Sequence, residues 1–223
     1  MRIGDSPAAG GGAATAERIR DAAIVRFGRD GFSAGLRAVA ADAQVTAGLV
    51  VHHFGSKDGL RQACDAYVLN VIRIEKTKAV TGSAAGMMAQ LAEIDEYAPL
   101  ALYAMRSLQS GGELATAFVE QMCRDAEQFL AAGVEAGTIK PSRDPAGRAR
   151  YLTYQGMGSL LLWMSLRHGS LEVEDFRTEL RRLSDEITLP ALELFTHGLF
   201  ADRSMLDDYL MYVSDPPAGS DQP

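Results

Sequence analysis

The sequence predicts an all-α protein, and three observations predict it. Apolar residues recur at helical spacing along nearly the whole chain. Clusters of Gly, Pro, Asp and Ser cut that pattern into helix-length pieces. No stretch alternates apolar and polar residues with period 2 over a useful strand length. With 223 residues, 47% of them apolar, the chain has ample material for a core.

Each element follows in order. Residues 1–14 are rich in Gly and Ala without periodicity, and a disordered arm is expected there. Thr15 then caps a helix carrying Ile19, Ala22, Ala23 and Phe27, which Gly28 and Gly31 end. A short apolar-periodic stretch covers residues 36–43. After a three-residue turn a second covers 46–54. Ser56 caps, and Asp58 supports, a long helix over 57–78 with Leu60, Cys64, Tyr67, Val68, Val71, Ile72 and Ile74 on its buried face. Further helices are expected over 84–95, 97–109, 112–136, 145–168, 172–199 and 204–213. Pro190 should kink or break the fifth of these near residue 189. The polar, Pro-rich residues 214–223 are expected to be a disordered tail.

Residues 36–54 carry the most specific signal. Two short helices with a turn of about three residues fit a DNA-reading helix-turn-helix. Val39 and Ala40 pack inward, Val45 plugs the turn, and Val50 and Phe54 anchor the second helix. Ala47, Gly48, Val51 and His52 are left facing outward. Thr46 at the N-cap joins the free N–H groups of the first turn in a natural phosphate-binding cluster.

The stretch VTAGLVVHHFGSKDGL, residues 45–60, resembles the recognition helix and following helix of the TetR family of bacterial transcriptional repressors. Upstream, TAERIRDAAIVRFGRDGF, residues 15–32, resembles that family's first helix. The resemblance implies a DNA-binding domain over 15–60 and a helical ligand-binding and dimerisation domain over 61–213. It implies phosphate contacts from Thr46, His53 and Lys57, with Arg37 as a further candidate, and groove contacts from Ala47, Gly48, Val51 and His52. Three positions depart from the family pattern. Gln44 replaces a turn Gly, Gly35 replaces a capping Thr or Ser that Ser33 partly supplies, and Val51 replaces an aromatic.

Charge agrees with a protein that touches a polyanion at one end. Residues 1–60 hold seven Lys/Arg against six Asp/Glu, whereas the rest hold 15 against 23. No apolar run reaches the ~20 residues that span a bilayer. The N-terminus carries no apolar leader. Cys64 and Cys123 form no motif with each other, and together these point to a reduced, cytoplasmic setting. His52 and His53 point about 100° apart on a helix, so they do not share a metal. No cofactor motif and no nucleophile, P-loop or zinc-protease motif is found, so the chain is expected not to be an enzyme.

Soft and aromatic side chains crowd the middle helices, and a small, largely apolar effector is the expected ligand. The candidate contacts are Tyr103, Arg106, Met122, Gln155 and Trp163. By resemblance, helices 145–168 and 172–199 form a four-helix homodimer interface, with Gly156, Leu160, Trp163, Leu180, Leu183 and Ile187 as its candidates. Packing of both stripes into the chain's own core is the competing reading. The overall expectation is a homodimer that binds a palindromic operator in double-stranded DNA and is released by a small molecule. The alternative is a helical small-molecule-binding protein that no longer reads DNA, and its support lies in the departures at Gln44 and Gly35.

Overall fold

The structure is a computed structural model that describes residues 8–166 and 173–213. Part of the expected arm (residues 1–7), the expected break between helices at 169–171, and the tail 214–223 lie outside the described residues. Among the described residues the secondary structure is helical throughout. In order these are α1 (Ala8–Asp30), α2 (Leu36–Asp42), α3 (Ala47–Phe54), α4 (Lys57–Thr81), α5 (Ala84–Ala92), a 3₁₀ turn at Ile94–Tyr97, α6 (Ala98–Gln109), α7 (Gly112–Glu135), α8 (Pro145–Ser165), α9 (Val173–His197) and α10 (Ser204–Tyr212).

Three local expectations need correction. First, α1 begins at Ala8, so residues 8–14 are not an irregular arm and Thr15 is not the cap. Ala8, Ala9, Ala13 and Ala14 are strong helix formers, and they extend the helix through three glycines once residues 16–30 nucleate it. Second, Gly28 does not end α1. It is buried inside the helix, where a Cβ would come within 3.4 Å of both Leu102 and the Tyr103 backbone. The missing side chain lets α1 lie close along α6, and the helix ends instead at Gly31. Third, of the kink or break expected at Pro190 the break does not occur, since α9 runs through that residue. The carbonyl that Pro190 cannot bond belongs to exposed Glu186, where solvent can satisfy it.

The largest core unites the head and the body. Ile19, Phe27, Val39, Val50, Leu60, Cys64 and Val68 form one cluster with Tyr103 of α6 and Phe118 and Met122 of α7. The boundary expected at residues 60/61 falls inside α4 and inside this cluster. On α4, Leu69 is buried whereas Ile74 is exposed, because the helix turns its stripe toward α7. A second cluster joins Leu102 and Met105 to Leu160, Phe176 and Leu183. Burial pushes the Cys64 thiol up to about 12, so it is a small apolar core residue.

Candidate nucleic-acid interface

α2 and α3 are held at a fixed angle by α1. The Arg26 guanidinium donates both to Asp42, at 2.6 and 2.5 Å, and to Asp30 at 2.8 Å. Those contacts raise the Arg26 pKa further, and hydrogen bonds from Arg29 first and Arg26 second hold the Asp30 carboxyl well below the usual range. Arg18 donates to the Ala43 carbonyl at the end of α2, 3.2 Å away. Together they pin α2 to α1, and buried Val39, Ala40 and Val50 close the interior of the motif.

The turn between α2 and α3 keeps its geometry despite its sequence. Gln44 takes φ +54°, the left-handed region where a glycine sits without strain. The Val45 N–H donates to the Ala40 carbonyl at 2.9 Å, and half-buried Val45 packs on the core. At the start of α2, Gly35 provides no side-chain cap. Ser33 does not replace it, because its hydroxyl donates to the Asp30 carbonyl at 3.4 Å.

Thr46 caps α3, its hydroxyl accepting from the Leu49 N–H at 3.2 Å. The exposed face of α3 carries Gly48, Val51 and His52. Val51 is 45% exposed, an apolar side chain set in open solvent. Ala47, expected to face outward with them, is half-buried against the core, because its position lies nearer the Val50 side of so short a helix. His53 is half-buried, its ring centroid 5.5 Å from that of His52 with 72° between planes. Divergent rings of this kind suit contacts to two different groups. Lys57, half-buried, opens α4, and exposed Arg37 lies in the first turn of α2. Exposed Gly48, Val51 and His52 thus form a solvent-facing surface of α3, with Thr46 at its start, His53 near its end, Lys57 at the start of α4 and Arg37 on α2. Such a surface can meet phosphates at its rim and base edges at its middle.

One residue that the sequence reading passed over fixes Lys57. Gly59 lies so near the end of α3 that a Cβ there would sit 2.1 Å from the Phe54 carbonyl oxygen. Its N–H bonds to the Ser56 cap at 3.0 Å. Only glycine lets α4 start this close to α3, and that approach places Lys57 beside the recognition helix. The pair Gly55 and Gly59 within HHFGSKDGL was the available signal.

The expected effector contacts fare differently. Tyr103 is fully buried, and its hydroxyl donates to Asp65 at 2.7 Å. Met122 belongs to the shared core. Arg106 does not face a pocket: it donates to the Gly28 carbonyl at 3.0 Å and the Arg29 carbonyl at 3.3 Å, capping the end of α1 from α6. No local signal marks that role, since its partners lie 78 and 77 residues away. Gln155 is half-buried on α8, and the Trp163 indole donates to Glu179 of α9 at 3.1 Å. A cleft of about 410 Å³ opens instead between α4 and α7, lined by Ala66, Leu69, Asn70, Arg73, Gln121 and Asp125.

Of the expected dimer contacts, Leu160 and Leu183 are buried in the chain's own second core, with Leu180 and Trp163 packed against it. Leu160 and Leu183 fill the protomer, because the stripes of α8 and α9 meet each other and α6, while Leu180 and Trp163 stay half-buried at the edge of that core. Ile187 and Gly156 are exposed. The exposed apolar stripe of α8 runs instead through Tyr151, Tyr154, Leu162 and Leu166, with Gly158 among them.

Comparison with known proteins agrees with this architecture. A family model described as bacterial regulatory proteins, tetR family, matches residues 19–64. A model of the tetracyclin repressor-like C-terminal domain matches residues 95–201. The HTH-type transcriptional regulatory protein RaaS of Mycobacterium tuberculosis is 50% identical over 194 residues, 86% of this chain and 90% of RaaS. Similar solved structures include the transcriptional regulator FadR from Bacillus subtilis in complex with stearoyl-CoA, with TM-score 0.57 and 18% identity over 82% of this chain and 99% of that one. A TetR-family regulator from Pectobacterium atrosepticum gives 0.53 and 18% over 87% and 98%. A third, from Chloroflexus aurantiacus, gives 0.51 and 20% over 80% and 96%. The structures share the fold, the family models share its two parts, and the chain belongs to the TetR family of transcriptional regulators.

Proposed function

We propose that this chain is a cytoplasmic repressor that binds a palindromic operator as a homodimer and releases it when a small molecule enters the helical body. The observation that carries the reading is the exposed face of α3, Gly48, Val51 and His52, beside the Thr46 cap; His53, Lys57 and Arg37 would supply the phosphate contacts. One such helix makes few base contacts. Two heads related by a two-fold axis would read half-sites about 34–36 Å apart.

Release would act through α4, which begins at Lys57 and forms one wall of the cleft with α7. A ligand wedged there would tilt α4 and move the head out of register with the groove. About 100-fold preference for the released state supplies roughly 2.7 kcal/mol, within the usual allosteric range. FadR, alike in fold, holds stearoyl-CoA. That likeness supports an effector in the body here, while the cleft's Arg73 and Asp125 favour one with polar groups beside its apolar part.

The test is a gel shift of the protein on DNA flanking its own coding region. A discrete complex at about 10⁻⁸ M or tighter in physiological salt is the expected result. Binding no tighter than to unrelated DNA would favour the helical small-molecule-binding alternative.

A further inference from the structure

We infer that the cleft between α4 and α7 takes a small ligand carrying both a positive and a negative charge, the first held by Asp125 and the second by Arg73. This rests on the reading of the cleft as the effector site, and it names the chemical class that the site admits. Ala66, Leu69, Asn70 and Arg73 of α4 line the space together with Gln121 and Asp125 of α7. Its volume of about 410 Å³ suits a small molecule.

Two charges of opposite sign border this space without pairing. Asp125 is only 8% exposed, and its Oδ1 accepts from the Gln121 amide at 2.8 Å. No cationic side chain among the described residues pairs with it. Arg124, its neighbour in sequence, spends its guanidinium on Gln121 Oε1, at 3.1 and 2.8 Å. A carboxylate has room for about four hydrogen bonds, so most of the capacity of Asp125 is open. Burying it beside one neutral donor is costly until a cation arrives. Arg73 is half-buried and donates to Asn70 Oδ1 at 2.7 Å, with no carboxylate partner among the described residues. The rest of its planar fork suits an acidic group.

The signs select the ligand. A purely cationic molecule would pair with Asp125 but meet the like charge of Arg73. A purely anionic one would pair with Arg73 but meet the like charge of Asp125. A neutral one would leave both without a counter-ion. Only a molecule with both signs answers both walls, while its apolar part lies on Ala66 and Leu69. Arg73 belongs to α4 and Asp125 to α7, so each helix grips one end of it.

The experiment is calorimetric titration of the full chain with four probes that share a phenyl group. Phenylalanine and phenylalanyl-glycine carry both charges, close together in the first and wider apart in the second. 2-Phenylethylamine carries only the cation, and 3-phenylpropanoate only the anion. At least one doubly charged probe should bind with a dissociation constant below about 1 mM, at least about tenfold tighter than either singly charged probe. Asp125→Asn keeps the shape and an acceptor for Gln121, and it should erase the advantage over 3-phenylpropanoate. Arg73→Met keeps an unbranched stem and should erase the advantage over 2-phenylethylamine, whereas Arg73→Lys should retain most of it. Circular dichroism of each variant should match wild type. Singly charged probes that bind as tightly, doubly charged probes that do not bind, or an advantage that survives both Asp125→Asn and Arg73→Met overturn the inference. Operator affinity measured with the doubly charged probe bound separates the two readings. Selective binding that leaves operator affinity unchanged upholds the ligand class and removes the effector role from the cleft.

Discussion

The Tyr103 hydroxyl donates to the Asp65 carboxylate at 2.7 Å, joining α6 to α4 just beyond the head. Its ring stands edge-on to Phe32, 5.6 Å away, and Arg61 lies over the face of Phe32 at 3.7 Å. Tyr103→Phe should leave Asp65 without its donor and destabilise the chain by about 1–3 kcal/mol, lowering the melting temperature by several degrees. Burial raises the Asp65 pKa, against the Tyr103 bond and Arg61. A raised folded pKa means that this group's stability contribution is full below the unfolded value of about 3.9 and is lost as pH rises through the folded value. Asp65→Asn keeps an acceptor for Tyr103 and removes that loss. Melting curves should show the variant gaining on wild type from pH 4 upward. A constant difference between the two across pH would mean that Asp65 titrates alike in both states.

Lys57→Ala should weaken binding to all DNA sequences alike. A cation placed at a phosphate releases counterions, so the slope of log affinity against log salt should fall by about one unit per contact. Filter binding at several salt concentrations checks it. An unchanged slope would remove Lys57 from the backbone contacts and put the position that Gly59 gives it in doubt.

Gly48→Glu should abolish specific binding while the fold survives. The nearest atom to a Cβ at Gly48 is the Thr46 hydroxyl at 3.9 Å, so the helix accepts a side chain. A DNA groove would not, because a carboxylate there would meet phosphates and base acceptors. Full operator affinity in a folded Gly48→Glu protein would move α3 out of the major groove.

Gln44→Gly should stabilise the chain slightly. The left-handed conformation costs a non-glycine residue about 1–2 kcal/mol. Glycine gives back about 0.4–1 kcal/mol through the freer unfolded chain. The net is a gain of up to about 1.6 kcal/mol, seen as a small rise in the urea midpoint. A fall in the midpoint would mean that the Gln44 side chain makes compensating contacts.

The helix-turn-helix was legible because each of its features is local. The Thr46 cap, the Val39, Val50 and Phe54 anchors and the GSKDGL junction lie within a few residues of what they act upon. The turn kept its shape with Gln44 because the packing of α2 and α3 on α1 outweighs the strain of one residue. The bonds of Arg106 and Tyr103 to α1 and α4 were not legible for the opposite reason. Their partners are remote in sequence, and a buried aromatic reads the same whether it lines a cavity or ties two helices. The start of α1 was lost to a compositional rule: Gly-Ala runs usually stay irregular, but a helix already nucleated downstream adds each alanine cheaply.

The last prediction separates two faces of α8. Gly156 and Gly158 lie about 200° apart around the helix axis, so they cannot both face one partner squarely. Both have open space where a side chain would go. Sequence reasoning placed Gly156 at the subunit interface. The neighbours favour Gly158, which sits four residues from Tyr154 and from Leu162 on the stripe where both are more than half exposed. Gly156 lies four residues from Leu152 and Leu160, which are packed inside the chain. Gly158→Arg should therefore put a solvated charge into the apolar interface, weakening the dimer by about 2 kcal/mol or more, the scale of an interface hot spot. Gly156→Arg should leave the dimer intact. Sedimentation of both variants gives the answer, with operator affinity measured alongside. Loss of the dimer in Gly156→Arg but not in Gly158→Arg would turn α8 over and restore the earlier placement.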